Sequence, residues 1–167
     1  STYTNYKLKN NYPIPIFGSH IINKFMKYVD SYGSLAVIKT NMPRKTVKLS
    51  NSYSKEFTYK NINSATIDKS YNRPCLDIKY SNEPCKYYEQ TKLVLPHKMY
   101  GFPYLDTEGN YGICNRDNYV IMDNMDNLNI IKEFLSTKTA LYIYESTRYR
   151  MKYLEKYAFE FIPNILN

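Results

Sequence analysis

The sequence predicts an α+β fold, with an N-terminal helix, a β-rich middle of short and mostly antiparallel strands, and a helical C-terminal third. Three observations carry this. Apolar residues recur at helical spacing through Ile21, Ile22, Phe25, Met26 and Val29. Short β-prone runs alternate with polar turns from Asn41 to Gln90. Helical spacing returns after Asp123, in Leu128, Ile130, Ile131, Phe134 and Leu135. With 167 residues, 43% of them hydrophobic, the chain is long enough to bury a core. Residues 1–167 are therefore expected to form a single α+β domain. In it, 1–91 is a helix plus an irregular β half, and 92–167 a hairpin plus a helical half.

Along the chain, residues 1–13 read as extended, and Pro13 and Pro15 hold the backbone in β or polyproline geometry. Ser19 is the expected N-cap of the first helix, and Gly33 stands where a left-handed C-terminal residue belongs. Leu35–Lys39 reads as a buried strand, rich in β-branched side chains. Further strands are expected at Thr46–Leu49, Phe57–Lys60, Ala65–Asp68, Leu76–Tyr80 and Lys86–Glu89. Lys92–Leu95 is a compact apolar strand before Pro96. A hairpin is expected from Phe102–Leu105 through the turn Asp106–Asn110 to Tyr111–Ile113, with Gly109 at the tight position. Tyr119–Met122 is a strand, and Asn124–Asn127 caps the next helix. Two more helices are expected at Thr137–Tyr144 and Tyr149–Tyr157, before the aromatic exit Phe159, Phe161, Ile162 and Pro163.

Composition narrows the function. No apolar run approaches the roughly 20 residues of a bilayer crossing, and the polar stretch Ser1–Asn10 lacks the pattern of a signal peptide. The expected location is the cytoplasm or a viral replication compartment. Cys75, Cys85 and Cys114 are odd in number and widely spaced, as in a reducing compartment, and no structural metal is expected. Net charge is +8, with 20 tyrosines and no tryptophan. Excess cations and aromatic rings suit nucleic acid, because phosphates attract Lys and Arg and bases stack on rings. AT-rich codons also favour Lys, Asn, Ile and Tyr, so the composition suits a bacterial or viral source and part of the charge needs no functional cause.

Catalytic signatures are absent: there is no dinucleotide or phosphate-binding glycine loop, no nucleophile elbow and no H-E-x-x-H. A Cys85–His97 dyad has no supporting context. Asp68, with Asp77 and Lys79, forms an apolar-D then apolar-D-x-K pattern that would serve a Mg²⁺ nuclease, the acids holding metal and the lysine orienting water. The competing reading is an amphipathic strand with Asp77 and Lys79 on one solvated face. A third class is a protein-interaction or scaffold domain, viral for example, using the tyrosines at an interface.

Basic residues gather in three places. Lys39, Arg44, Lys45 and Lys48 surround Pro43; Lys69 and Arg73 flank Tyr71; and Arg148, Arg150 and Lys152 alternate with Tyr149 and Tyr153. Loops and helix starts with such residues are where DNA readers place phosphate and base contacts. On a helix, 148 and 152 would share a face and 150 would point elsewhere.

From Lys92 onward the chain resembles the C-terminal target-recognition (specificity) domain of TaqI-like adenine-N6 DNA methyltransferases and fused restriction–modification enzymes. In that family a "pKvi" strand leads into a hairpin, a "YilxxxNL" strand and helix, an "lnSkl" helix start and an "lP" exit. The counterparts here are Lys92–Leu95, the hairpin Asp106–Gly112, Tyr119–Met122, Phe134-Leu135-Ser136-Thr137-Lys138 and Ile162-Pro163, within residues 92–167. The family's "LNS" is "LST" here, and its cofactor loop and N/D/S-P-P-Y tetrapeptide do not occur. The resemblance implies a reader of duplex DNA with no cofactor of its own and no membrane association. It also implies that a methylase domain in the same polypeptide carries out catalysis.

Overall fold

The computed structural model describes residues 6, 8–10, 12–68, 73–98, 103–150 and 153–167. Helix α1 spans Ser19–Tyr32. Its N-cap is Gly18, not Ser19: the N–H groups of Ile21 and Ile22 close the first turn onto the Gly18 carbonyl. Gly33 ends the helix at φ 76°, as its position predicts. The strands β1 (Ile38–Lys39) and β2 (Leu49–Ser50) are two residues each, shorter than the runs Leu35–Lys39 and Thr46–Leu49 suggest. The expected strands at 57–60 and 65–68 join into one strand, β3 (Tyr59–Asp68), which pairs antiparallel with β4 (Arg73–Ser81) through an irregularity between Ile62 and Ser64. Then come β5 (Lys92–Pro96), β6 (Tyr104–Asp106), β7 (Gly112–Ile113) and β8 (Asn118–Ile121).

Two four-stranded sheets result, ordered β1-β8-β5-β6 and β2-β4-β3-β7. The expected hairpin does not form. β6 pairs with β5 in the first sheet, and β7 runs parallel to β3 in the second. The turn between them carries the chain from one sheet to the other. The segment Lys86–Glu89 is also not a strand but a turn, with Tyr87 and Glu89 at φ 68° and 59°.

The apolar residues explain this layering. Side chains alternate along a strand, so a strand covered on both faces is apolar throughout. Leu93, Leu95, Tyr119 and Ile121 face a core built with α1 and the C-terminal helices. Val94 and Val120 face a second core with Ile62, Tyr87 and Ile113. The first sheet is thus the middle layer between helices and the second sheet.

Helix α2 (Met125–Leu135) starts where Asn124 accepts from the Asn127 N–H at 2.9 Å. It buries Leu128, Ile131 and Leu135, whereas Ile130 faces solvent. Helix α3 (Lys138–Ser146) starts at a Thr137 cap. The expected helix Tyr149–Tyr157 is absent among the described residues; the chain turns after Arg148 and forms a 3-10 helix at Lys156–Phe161. That position lets Phe159 and Phe161 fill the core beside Tyr119 and Tyr144. Among the described residues no helix is long and apolar enough to cross a membrane.

One ion pair lies inside. Lys92 and Asp106 are 0% and 2% exposed, and Lys92 Nζ donates to Asp106 Oδ2 at 2.5 Å. Burial pushes the lysine's pKa down, and the carboxylate opposes that shift. Asp106 also accepts from the N–H groups of Asn110 and Tyr111, at 2.9 and 3.1 Å. Asp106→Ala leaves a buried ammonium without its counterion and two N–H groups without their acceptor. Urea unfolding should register a loss of about 3–5 kcal/mol. Lys92→Met keeps both backbone donors on Asp106 and should cost less.

Candidate functional site

The sequence-predicted cations fall in different parts of the molecule. Arg44 and Lys45 form an exposed turn closed by the Val47 N–H on the Arg44 carbonyl, and Lys48 follows, also exposed. Asn82 ties this segment to the end of β4: its Oδ1 accepts from the Lys48 N–H at 2.7 Å. Lys39 lies apart from them, on β1 opposite Tyr119 in the other sheet. Arg73 opens β4 opposite Asp68, and Lys69 and Tyr71 lie outside the described residues. Arg148 and Arg150 follow α3 outside any helix, and Lys152, with the face expected for 148 and 152, lies outside the described residues. Arg150 is paired with Glu155 and lies 4.9 Å from the Tyr153 ring centre.

The nuclease triad is not assembled. Asp68 pairs with Arg73, whereas Asp77 pairs with Ser64, four rungs away. At about 3.3 Å per residue the two backbones are roughly 13 Å apart, too far for two carboxylates to share one ion. Asp77 accepts instead from Asn63 Nδ2 at 2.6 Å. Among the described residues no three His, Cys, Asp or Glu side chains converge as a metal site.

Cys85 and His97 are likewise in separate surroundings. Cys85 lies against Ser81, and burial raises its pKa, which keeps the thiol protonated and poorly nucleophilic. His97 is buried between Asp117 and Glu155, each 3.7 Å away, with Tyr119 and Tyr153 against its ring.

What the structure adds is a cleft of about 690 Å³ between the 42–47 segment and the 84–90 turn. Its walls include Arg44, Tyr59, Lys86, Tyr87, Tyr88 and Glu89. The Tyr59 and Tyr88 rings meet edge to face at 5.4 Å, and Lys86 Nζ stands 5.0 Å from the Tyr87 ring centre. Tyr88 also borders a smaller cavity of about 290 Å³ with Lys60 and Tyr111. No carboxylate forms an ion pair with Arg44, Lys45, Lys48 or Lys86 among the described residues. Lys86, Tyr87 and Tyr88 escaped the sequence reading because a strand at 86–89 would send neighbouring side chains to opposite faces. The only hint was the run Lys-Tyr-Tyr itself.

Glycines hold the turn in place. An added Cβ on Gly109 would stand 2.5 Å from the Gln90 nitrogen, and one on Gly112 would stand 2.9 Å from Cys85 Cβ. The Glu89 N–H donates to the Gly109 carbonyl at 2.8 Å, and the Ile113 N–H to the Lys86 carbonyl at 3.0 Å. The resulting site is suited to binding an anionic, aromatic partner. It presents cations, ring faces, polar edges and the Glu89 side chain.

Comparisons with protein families, with curated proteins and with solved structures return no match to this chain.

His97 makes stability depend on pH. Burial lowers its pKa from the ordinary 6.5; Glu155 opposes that shift and Lys39 adds to it. The unfolded chain therefore takes up a proton before the folded one does, and stability is lost as pH falls below 6.5. Chemical unfolding at about pH 7 and about pH 5 should show that loss, and His97→Asn should reduce it.

Proposed function

We propose that this chain is a DNA-binding, target-recognition domain of a DNA-modifying enzyme, with catalysis and cofactor held by a separate methylase domain. The observation that carries the reading is that Arg44 and Lys86, which form no ion pair among the described residues, are brought from two chain segments to one aromatic cleft, with Lys45 and Lys48 exposed on the Arg44 segment. Carboxylates elsewhere are engaged with other groups: Asp106 with Lys92, Glu155 with Arg150 and Asp30 with Lys9. The lining sets two cations, Arg44 and Lys86, against one carboxylate, Glu89, and phosphates are suited as counterions to the excess. Burial that raises the Cys85 pKa, and the four-rung separation of Asp68 from Asp77 along the ladder, support a reader over a catalyst.

The resemblance in residues 92–167 also supports the reading. β5 occupies the first strand position and β8 leads directly into α2. Thr137 caps α3 at the "LST" element, and Ile162-Pro163 ends the 3-10 helix. The hairpin position departs from it, since β6 and β7 belong to different sheets.

The test is fluorescence anisotropy with labelled duplex DNA over a range of salt concentrations. The reading expects affinity to fall steeply and linearly on log–log axes. Each phosphate contact adds about 0.9 to the slope, so Arg44→Ala/Lys45→Ala/Lys48→Ala should lower it by roughly 2–3. Absence of binding at low salt, or binding indifferent to salt, overturns the reading.

A further inference from the structure

We infer that the cleft between the 42–47 segment and the 84–90 turn receives a single unpaired nucleotide, its base against Tyr59 and Tyr88 and its phosphate on Arg44 and Lys86. The inference rests on the DNA-binding reading above and names the ligand of one pocket within that surface.

Shape is the first argument. Phosphates of a paired duplex are met by cations on an open surface, and such contacts need no cavity. Here the cations stand at a concavity of about 690 Å³, within the roughly 300–1,000 Å³ typical of pockets that enclose a small ligand. Its lining combines ring faces with cations, the pairing that holds unstacked bases. The Gln90 amide and Glu89 carboxylate lie on the same lining. They supply a donor and acceptors for the polar edge of a base that has lost its pairing partner.

Backbone strain is the second argument. Tyr87 and Glu89, neither of them glycine, have φ of 68° and 59°. Such a conformation is strained and persists only where its surroundings overdetermine it. Tyr87 is held by its ring, buried with Ile62, Val94 and Ile113, and Glu89 by its N–H on Gly109. The consequence is local. The left-handed pair brackets Tyr88 and gathers Lys86, Tyr87, Tyr88 and Glu89 around one cavity, where an extended strand would divide them between two faces. Tyr88 is left half-buried as the shared wall of that cavity and of the smaller one beside Lys60 and Tyr111.

The experiment compares three labelled DNA duplexes by anisotropy: fully paired, with one unpaired nucleotide bulged out, and with an abasic bulge. The unpaired nucleotide should tighten binding about tenfold over the paired duplex, the worth of one base stacked on an aromatic ring, and the abasic bulge should lose that gain. Tyr88→Ala should bring the bulged-to-paired ratio near one, and Tyr88→Phe should keep it. Salt-dependent binding with equal affinity for all three duplexes overturns the nucleotide pocket and leaves the DNA-binding reading standing. No binding of any duplex overturns both. A bulge preference that survives Tyr88→Ala, or that the abasic bulge reproduces, also overturns the pocket, and the abasic arm uses the unaltered protein.

Discussion

A lysine and an aspartate closed off from water hold the two sheets and the cleft in their relative places. Lys92 begins β5, and Asp106 ends β6, so their contact locks the edge of the first sheet. From Asp106 the chain must leave for the second sheet, and the carboxylate directs it by accepting from Asn110 and Tyr111. Lys92 Nζ also donates to the Gln90 carbonyl at 3.0 Å, at the end of the turn that forms the cleft wall. One charge pair thus fixes both the crossing at 106–111 and the turn at 84–90, and Gly109 lies where the two touch. Buried pairs of this kind add little net stability but strongly disfavour arrangements that separate them. Here the pair specifies which loop meets which.

The strands β5 and β8 serve two cores at once. Their alternate side chains pack under the helices on one face and against β3 and β7 on the other. A middle layer buried on both sides cannot carry function, and the chemistry moves to the turns at its rim. The 84–90 turn is one of these. Tyr87 anchors it by entering the second core, which leaves Lys86 and Tyr88 to the cleft. The anchor and the ligand wall are adjacent residues, so a single backbone kink does both tasks.

Charge follows the same division. Acidic groups are engaged in structure: Asp106 with Lys92, Glu155 beside His97 and Arg150, and Asp77 with Asn63. Arg44, Lys45 and Lys48 stand outside these pairs on an exposed turn. The excess of +8 is therefore not spread evenly, and Arg44 of this group lines the pocket together with Lys86. This uneven placement is what connects the bulk composition to the proposed DNA partner.

Local patterns were legible where one element buries one face. The stripes of α1 and α2, the Asn124 cap and the continuous apolar run of β5 are visible in the sequence, because helix and strand periods are local properties of the chain. Gly109 was legible as the tight position of a turn, although the hairpin expected around it does not form. Less could be read where partners are distant. Tyr111–Ile113 looks like the return strand of a hairpin, yet its strand joins β3, some fifty residues earlier in the chain. Tyr149–Tyr157 carries helical spacing, but burying Phe159 and Phe161 beside Tyr119 is served better by an irregular approach. The basic turn at 44–48 was found from composition alone. Its partner wall at 86–89 was hidden, because its conformation depends on Tyr87 reaching a core that only the assembled sheets create. The sequence by itself determined the α+β class, the main helices and the cationic, tyrosine-rich character. Tertiary structure decided which cations meet which rings, since long-range packing and a buried ion pair, and not local preference, set the path of the turns.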